Sequence, residues 1–312
     1  MFMTIKEFHL PKKGIIDKKH KKTYDESNEK FSPLEEFSKC NKIPIRKYGK
    51  SIFGGDNRKQ SELVLECLTS EDYQTIRNES EKMKYLLYCH ETVEDSHSML
   101  PALKLKHNLR LRNCLPFSIS HQGSLSIITA TEIAQSLLNK TEIILFFISD
   151  CVMPPIKTPN FNNYPKGDCS IFGYFSYEKG MYKLMDYHLE NVLHDKEITQ
   201  WNSADYEVHE SQLLNSVFDL MTSVSRNAGS PWVITQTLSP KFKERINDIA
   251  MSLNYKLYQR EMEKETNFFG SDVLISLNLL EKTNVLKHNE QILLIFASLD
   301  YGVGYYLLSY QK

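Results

Sequence analysis

A small hydroxyl residue stands before a helical pattern in the middle of the chain. Gly123 and Ser124 precede residues 125–138, where apolar residues recur at three- and four-residue steps, and a continuously apolar segment follows at 141–149. Together with the apolar residues before it, this order predicts a strand, a turn with a potential nucleophile, a helix and a buried strand. A serine hydroxyl attacks an acyl group only when a base takes its proton. Serine before an apolar helix is also a common N-cap, so Ser124 has two interpretations.

Motifs of several other enzyme classes are incomplete or absent from the sequence. Gly123 and Ser124 form only half of the G-x-S-x-G turn of α/β-hydrolases, because neither flanking glycine is in place. Gly302 and Gly304 lack the third glycine of a dinucleotide-binding fingerprint and lie between two predicted strands, which indicates a tight turn. The sequence has no H-E-x-x-H and no P-loop motif. Its six cysteines form no C-x-x-C pair, which predicts a reduced, cytosolic protein without a metal.

The overall composition is typical of a globular protein. The chain has 312 residues, of which 41% are hydrophobic and 25% charged, enough for one large domain or two of ordinary size. Because 38 Lys and Arg are balanced by 39 Asp and Glu, no general positive field attracts nucleic acid. The longest apolar runs, such as 143–148, are far shorter than the roughly twenty residues that span a bilayer. The Lys-rich first thirty residues carry no secretory signal pattern, so we expect neither a nucleic-acid nor a membrane partner.

Strand and helix patterns alternate along most of the chain. Predicted strands cover 82–90, 115–119, 141–149, 168–177 and 231–234, with two more within 291–309. Predicted helices cover 62–68, 100–107, 125–138, 210–225, 240–253 and 272–280. Most of the first eighty residues are irregular and charged. The alternation of strands and helices predicts a layered α/β protein.

Four sequence blocks between about residues 80 and 312 occur in a distinctive order. They are K-Y-L-L-Y at 84–88 with M-L-P-A at 99–102, P-F-S-I-S-H-Q-G-S-L at 116–125, G-D-C-S at 167–170, and F-G-S-D at 269–272 with the segment 291–308. In order and spacing these blocks resemble the ketoacyl synthase III branch of the thiolase-like condensing enzymes. The resemblance implies a thiolase-like five-layer αβαβα fold with two pseudo-repeated halves, an N-terminal half at 1–160 on the nucleophile side and a C-terminal half at 161–312.

The same resemblance implies where the catalytic groups lie. Condensing enzymes use a cysteine at a helix N-terminus, where the dipole stabilises the thiolate. The family's spacing assigns Ser124 to that position, or Gly123 in a register shifted by one residue. Gln236, in I-T-Q-T-L-S, corresponds to the family's general-base histidine, and Asp272 corresponds to the third member, with Asn267 where some relatives have a histidine. The implied catalytic set is therefore Ser124, Gln236 and Asp272.

One function consistent with this set is acyl transfer. The chain would move an acyl group from CoA or an acyl carrier protein to an acceptor, in fatty-acid-like or secondary-metabolite biosynthesis. Ser124 would be the nucleophile, Asp272 an orienting or basic group and Gln236 an oxyanion donor. His121 is a further candidate base, although a polar turn residue is the simpler interpretation. No tightly bound cofactor is expected, since CoA or the phosphopantetheine of the carrier protein delivers the substrate.

The alternative is a catalytically inactive condensing-enzyme homologue that acts as the partner subunit of an active ketosynthase. It is suggested by Gln236, because an amide cannot take a proton. The strand at 141–149 and the helix before it would then form the subunit interface. The resemblance implies a homodimer in the first case and a heterodimer with a condensing-enzyme homologue in the second. A small-molecule binding module without chemistry is a third hypothesis. The lysines at 12–22 are either a solvated face or a docking site for the acyl carrier protein or the phosphates of CoA.

Overall fold

The computed structural model of the chain describes residues 1–11, 59–92, 100–151, 163–164, 166–192, 194–196, 200–225 and 230–312. Within these ranges the strands are β1 (Phe2–His9), β2 (Met83–Cys89), β3 (Leu115–Ile119), β4 (Ile143–Asp150), β5 (Cys169–Ser176), β6 (Tyr182–Asn191), β7 (Trp232–Thr235), β8 (Lys256–Leu257), β9 (Gln291–Ser298) and β10 (Gly302–Tyr310). The lysines at 12–22 lie outside the described residues.

The helices of the same ranges are α1 (Gln60–Cys67), α2 (Ser70–Asn78), α3 (Pro101–Asn108), α4 (Ser126–Leu137), α5 (Ser203–Ser225), α6 (Pro240–Ser252) and α7 (Asp272–Lys282). Short 3₁₀ turns, Gly123–Leu125 and Phe269–Ser271, lead directly into α4 and α7. None of these helices combines the length and the hydropathy that crossing a membrane requires.

The strand order repeats itself. The sheet runs β3-β2-β4-β5-β1-β6-β10-β9-β7-β8. Strands β1–β5 form one group and β6–β10 the other. From the outer edge inward, both groups place their strands in the same order: the third, second, fourth, fifth and first of the group along the chain. In each group the three outermost strands are parallel to one another. The fourth strand pairs antiparallel with the third, and the fifth pairs antiparallel with the fourth. Within the described sheet, the two groups pair where Phe2 and Met3 of β1 lie beside Lys183 and Tyr182 of β6. This repeat confirms the prediction of two pseudo-repeated halves.

The division between the halves can be compared with the predicted boundary at residue 160. Strand β5 lies after that boundary, but it pairs with β4 on one side and β1 on the other. By strand pairing, the change from the first group to the second therefore falls between Ser176 and Tyr182. The two domain ranges themselves stay a prediction.

Alternate residues of one strand pack into different cores, which defines the layers. In β4, Ile144, Phe146 and Ile148 face a central core with α4 and α7, whereas Leu145 and Phe147 face an outer core under α1, α2 and α3. Strand β9 divides its residues in the same way between the central core and a third core under α5 and α6. Since side chains alternate across a strand, each sheet half has helices on both faces. The fold is therefore the predicted five-layer αβαβα arrangement.

Strand β4 does not form an interface. It pairs with β2 on one side and β5 on the other, and all but its first residue is buried. The hypothesis that the apolar segment 141–149 contacts a second subunit is therefore wrong, because its apolar side chains are already covered by two helix layers. The exposed edge of this half is β3, whose only partner among the described strands is β2.

Gly173 allows β5 to approach β1 closely. A Cβ atom on Gly173 would overlap the carbonyl oxygen of Thr4 and lie 2.5 Å from Cζ of Phe146. We expect Gly173→Ala to lower the free energy of unfolding by about 1–3 kcal/mol, since backbone cannot move aside as a side chain does. Urea unfolding measures this change. Ser136→Ala, at an exposed position of α4, should stay within about 0.5 kcal/mol, and equal effects of the two variants would contradict the close approach.

Candidate active site

Two helix N-termini meet at the centre of the molecule. The turn Gly123–Leu125 leads into α4, and the turn Phe269–Ser271 leads into α7. A Cβ atom on Gly270 would lie 3.8 Å from Cα of Ser124, so the two backbones are almost in contact. The N-terminal end of a helix carries a partial positive charge. This position therefore favours a ligand group that carries or develops negative charge.

Gly123 is the one residue of the first turn that cannot carry a side chain. Its φ of +53° lies in the left-handed region, and a Cβ atom would lie 2.8 Å from Cβ of Ser298. The Ser298 hydroxyl is itself fixed, because it donates a hydrogen bond of 2.7 Å to Oδ1 of Asp300. The alternative register, in which Gly123 occupies the nucleophile position, therefore has no space for a reactive side chain.

Ser124 is buried, and its hydroxyl is already used. The Oγ atom donates a hydrogen bond of 2.7 Å to the carbonyl oxygen of Ala297 in β9. This bond ties the first turn to the second sheet half and directs the proton toward an oxygen that is not a base. His121 is exposed with a φ of +63°, and the Ser124 hydroxyl is not directed at its ring. The nucleophilic role of Ser124 stays a prediction.

Gln236 lies directly after β7 with its orientation fixed by two acceptors. The N–H of Phe269 donates to Oδ1 of Asn267, so that oxygen must point inward. Nε2 of Gln236 then donates to the same Oδ1 at 3.1 Å and to the carbonyl oxygen of Phe269 at 2.9 Å. Both amide N–H groups are thus occupied, whereas Oε1 is buried without a hydrogen-bond partner among the described residues. An oxyanion role for Gln236 would require one of these bonds to break.

Asp272 is the first residue of α7 and is completely buried. Its Oδ1 pairs with Nη2 of Arg260 at 2.7 Å and accepts a bond from the N–H of Phe268, and its Oδ2 accepts a bond of 2.6 Å from the N–H of Thr237. Arg260 also donates to Ser276. A carboxylate that is held by a guanidinium and two N–H groups organises the backbone around the second turn.

The three residues implied by the sequence thus lie around the same pair of turns. Asp272 begins α7 and binds the residue after Gln236, and Ser124 packs against Gly270. Among the described residues no hydrogen bond joins any two of the three side chains, because each is bonded to other partners. Whether they act in catalysis stays a prediction.

Sequence reasoning missed three polar residues beside the turns. Gln122 precedes the first turn, and its Oε1 is buried without a partner among the described residues. Glu91 follows β2 and forms an ion pair with Lys166, which precedes β5. Two signals were available: Gln122 is two residues from Ser124, and Glu91 directly follows the predicted strand 82–90, at the carboxyl end of which ligands bind in open α/β sheets.

The Glu91 carboxyl has a pKa raised above the ordinary value of a glutamate. Burial raises the pKa of Glu91 to about 6, Lys166 opposes that rise, and the negative charges of Asp300 and Asp150 add to it. Asp150 accepts hydrogen bonds from the N–H groups of Glu91 and Thr92, at 2.7 and 2.8 Å. Burial raises the pKa of Asp150 as well.

Two buried cysteines contact the turns, and neither has the environment of a nucleophile. The thiol of Cys89 lies 3.6 Å from the carbonyl oxygen of Ser126, and that of Cys169 lies 3.1 Å from the carbonyl oxygen of Phe268. Burial raises the pKa of both thiols far above neutral pH, which keeps them protonated. In the described ranges no three His, Cys, Asp or Glu side chains come together as a metal site.

The pair of Arg260 and Asp272 should dominate the stability of the site. Asp272→Ala leaves the buried guanidinium of Arg260 without its carboxylate, so we expect the free energy of unfolding to fall by about 3–5 kcal/mol. Chemical denaturation provides the measurement. Glu261→Ala removes a 92% exposed side chain that lies 4.0 Å from Lys264, and it should cost less than about 1 kcal/mol. Equal losses in the two variants would show that the buried pair does not organise the site.

Comparison with known proteins shows similarity in structure and not in sequence. No family model matches the chain, and no curated protein matches it significantly. Solved structures do match over their full length. The structure of the acyltransferase ChlB3 has a TM-score of 0.71 at 15% identity, with 100% of this chain and 98% of that chain covered.

Condensing enzymes give similar values. The 3-oxoacyl-[acyl-carrier-protein] synthase III from Aquifex aeolicus has a TM-score of 0.68 at 16% identity, with 99% of this chain and 100% of that chain covered. A variant of OleA from Xanthomonas campestris has a TM-score of 0.60 at 13% identity, with 99% of each chain covered. The strand order, the five layers and these matches together establish that the chain has the thiolase-like fold of the ketoacyl synthase III-type condensing enzymes.

Proposed function

We propose that the chain is an acyltransferase that takes an acyl group from a thioester of CoA or of an acyl carrier protein. The observation that carries this proposal is the meeting of two helix N-termini at the turns Gly123–Leu125 and Phe269–Ser271. Acyl transfer places negative charge on the carbonyl oxygen, and a helix N-terminus stabilises that charge. The fold shared with the acyltransferase ChlB3 supports the same reaction class.

Backbone donors of the first turn support this assignment. The first backbone hydrogen bond of the turn runs from the N–H of Leu125 to the carbonyl oxygen of Gln122, at 3.0 Å. The preceding N–H groups, those of Gly123 and Ser124, have no acceptor among the described residues. The first N–H groups of a helix lack intrahelical partners and commonly bind anions. In the proposed reaction they hold the thioester oxygen as it becomes an oxyanion.

The two unpartnered amide oxygens give the site a preference for hydrogen-bond donors. Oε1 of Gln122 and Oε1 of Gln236 are buried beside the two turns and accept no hydrogen bond within the described part of the chain. A buried acceptor without a partner costs about 1–3 kcal/mol, and a ligand N–H or O–H group would recover that cost. The amide N–H groups of a phosphopantetheine arm or the nucleophilic group of an acceptor have the required chemistry.

The contacts of Ser124 favour direct transfer to the acceptor over an acyl-serine intermediate. Its hydroxyl donates to Ala297, and no described base faces it. We therefore expect thiol release from acetyl-CoA or octanoyl-CoA to continue in Ser124→Ala within about threefold of the unaltered protein. Thiol titration gives the rate, intact-protein mass spectrometry detects acylation, and Ser136→Ala serves as the matched control.

Two outcomes would contradict this form of the proposal. An acyl adduct that is present in the unaltered protein and absent in Ser124→Ala would restore Ser124 as the nucleophile. A lack of thiol release from acyl-CoA and acyl carrier protein thioesters would contradict the acyltransferase proposal. In that case the partner-subunit alternative, which rests on the amide at Gln236, would be favoured, and copurification with a ketosynthase would test it.

Dimerisation through the edge strand β3 forms part of the proposal in either case. Leu115 at the start of β3 is 54% exposed, and Leu103 on the neighbouring α3 is 46% exposed. An unpaired strand edge with exposed apolar side chains is suited to pairing with a second copy.

Light scattering tests this dimer. We expect a mass of about twice the 36.4 kDa of one chain, and Leu115→Asp should shift it to the monomer value, because it would place charges at the strand edge. Met251→Asp, at a 71% exposed position of α6, should leave the dimer intact. A monomer at micromolar concentration, or equal effects of both variants, would contradict pairing through β3.

A further inference from the structure

The ion pair of Glu91 and Lys166 lies beside the candidate site and has no role in the function proposed so far. Glu91 follows β2, and Lys166 precedes β5. The Glu91 side chain is 20% exposed and that of Lys166 is 30% exposed. The pair is therefore sheltered and yet reachable from solvent, which is the condition in which a carboxylate can exchange protons with a substrate.

The contacts of Lys166 connect the pair to the second turn. Its Nζ lies 4.4 Å from the centroid of the Phe269 ring. Its backbone forms a bridge with Asn267, and the N–H of Gly167 donates a bond of 3.0 Å to the carbonyl oxygen of Asn267. Asn267 is the residue that orients Gln236. The Glu91 carboxylate is thus connected to the second turn, Phe269–Ser271, through the side chain of Lys166.

An electrostatic interaction relates the pair to the first turn. Asp300 acts electrostatically on Glu91, and a Cβ atom on Gly123 would lie 3.6 Å from Oδ1 of Asp300. The carboxylate is therefore within electrostatic range of both turns. Of the buried carboxylates nearby, Asp272 pairs with Arg260, and Oδ1 of Asp150 holds the N–H groups that follow β2. Oδ2 of Asp150 has no partner among the described residues, but Asp150 is fully buried, whereas Glu91 is partly exposed.

We propose that Glu91 is the general base of the acyl transfer, with Lys166 as the residue that positions it. This inference rests on the proposed function. The acceptor O–H or N–H group attacks the thioester carbonyl carbon, so that a carbon–oxygen or carbon–nitrogen bond forms and the carbon–sulfur bond breaks. The acceptor proton moves to the Glu91 carboxylate and from there to the departing thiolate, which balances the reaction without a further reactant.

The groups that face Glu91 define how its protonation should respond to substitution. They are Lys166 before β5, Asp150 at the end of β4 and Asp300 between β9 and β10, while the neighbouring His90 is directed at Ser118 and Thr92. Lys166 lowers the pKa of Glu91, and Asp300 raises it. Removal of the lysine should therefore raise this pKa, and removal of the aspartate charge should lower it.

The first test is Glu91→Gln, assayed by thiol release from octanoyl-CoA with water as the acceptor. The isosteric amide keeps a hydrogen bond to Lys166 but cannot take a proton, so we expect a rate about 10²–10⁴-fold lower. Binding of octanoyl-CoA, measured by calorimetry, should stay within about threefold. Glu79→Gln, which alters an ion pair with Lys82 far from the turns, is the matched control and should leave the rate unchanged.

The second test is the pH dependence of the same rate. Since a base must be ionised to act, the rate of the unaltered protein should rise with pH through about 6. In Lys166→Met this rise should move to higher pH, and in Asp300→Asn to lower pH. Opposite shifts would not arise from a merely structural role, and they remain measurable if Glu91→Gln fails to fold.

The outcomes separate this inference from the proposed function. Loss of thiol release in Glu91→Gln with unchanged binding, together with opposite pH shifts, supports it. A Glu91→Gln rate within about threefold of the unaltered protein, or a pH profile that neither charge substitution moves, overturns it. Octanoyl-CoA that binds to the unaltered protein without thiol release also overturns Glu91 as a base but leaves the binding site intact. Failure of both acyl-CoA and acyl carrier protein thioesters to bind overturns the proposed function itself.

Discussion

The buried carboxylate of Asp272 is the interaction on which the arrangement of the site depends. It binds Arg260 and the N–H groups of Thr237 and Phe268, so it joins the segment after β7, the loop before the second turn and the start of α7. A charge enclosed to this degree is stable only while all of these donors are in place. The position of Gln236, one residue before Thr237, follows from this bond.

The uncharged polar side chains of the site lie beside the two turns, and its partly exposed ion pair lies at the margin. Beside the two helix N-termini, Gln122, Ser124 and Gln236 are uncharged, and the buried charge of Asp272 is paired with Arg260. The helix dipoles therefore supply the electrostatic potential there. The ionisable pair of Glu91 and Lys166 lies at the margin, where it is partly exposed. A site built in this way stabilises an oxyanion with fixed dipoles and leaves proton transfer to a group in contact with solvent.

Much of the fold could be predicted from the sequence, because apolar periodicity survives in the buried elements. The bounds of α4 and β4 differ from the predicted ones by at most two residues, since β4 is buried at all but its first residue and α4 buries one apolar face. Strand β6 was not predicted, since its sequence Y-K-L-M-D-Y-H-L-E-N places charged residues on a half-exposed face. The site residues fell near the correct turns, but their partners Ala297, Asn267 and Arg260 come from distant segments, and no spacing rule could indicate which hydrogen bonds they form.

The central claim is that the N–H groups at the first turn polarise a thioester carbonyl. The infrared stretching frequency of the carbonyl in octanoyl-CoA, labelled with ¹³C at that carbon, reports this polarisation directly, because hydrogen bonds to the oxygen weaken the double bond. We expect the frequency in the complex to be lower than in free octanoyl-CoA in water, since fixed donors in a sheltered site act more strongly than solvent. A bound ligand whose carbonyl frequency equals or exceeds the free value would contradict the account.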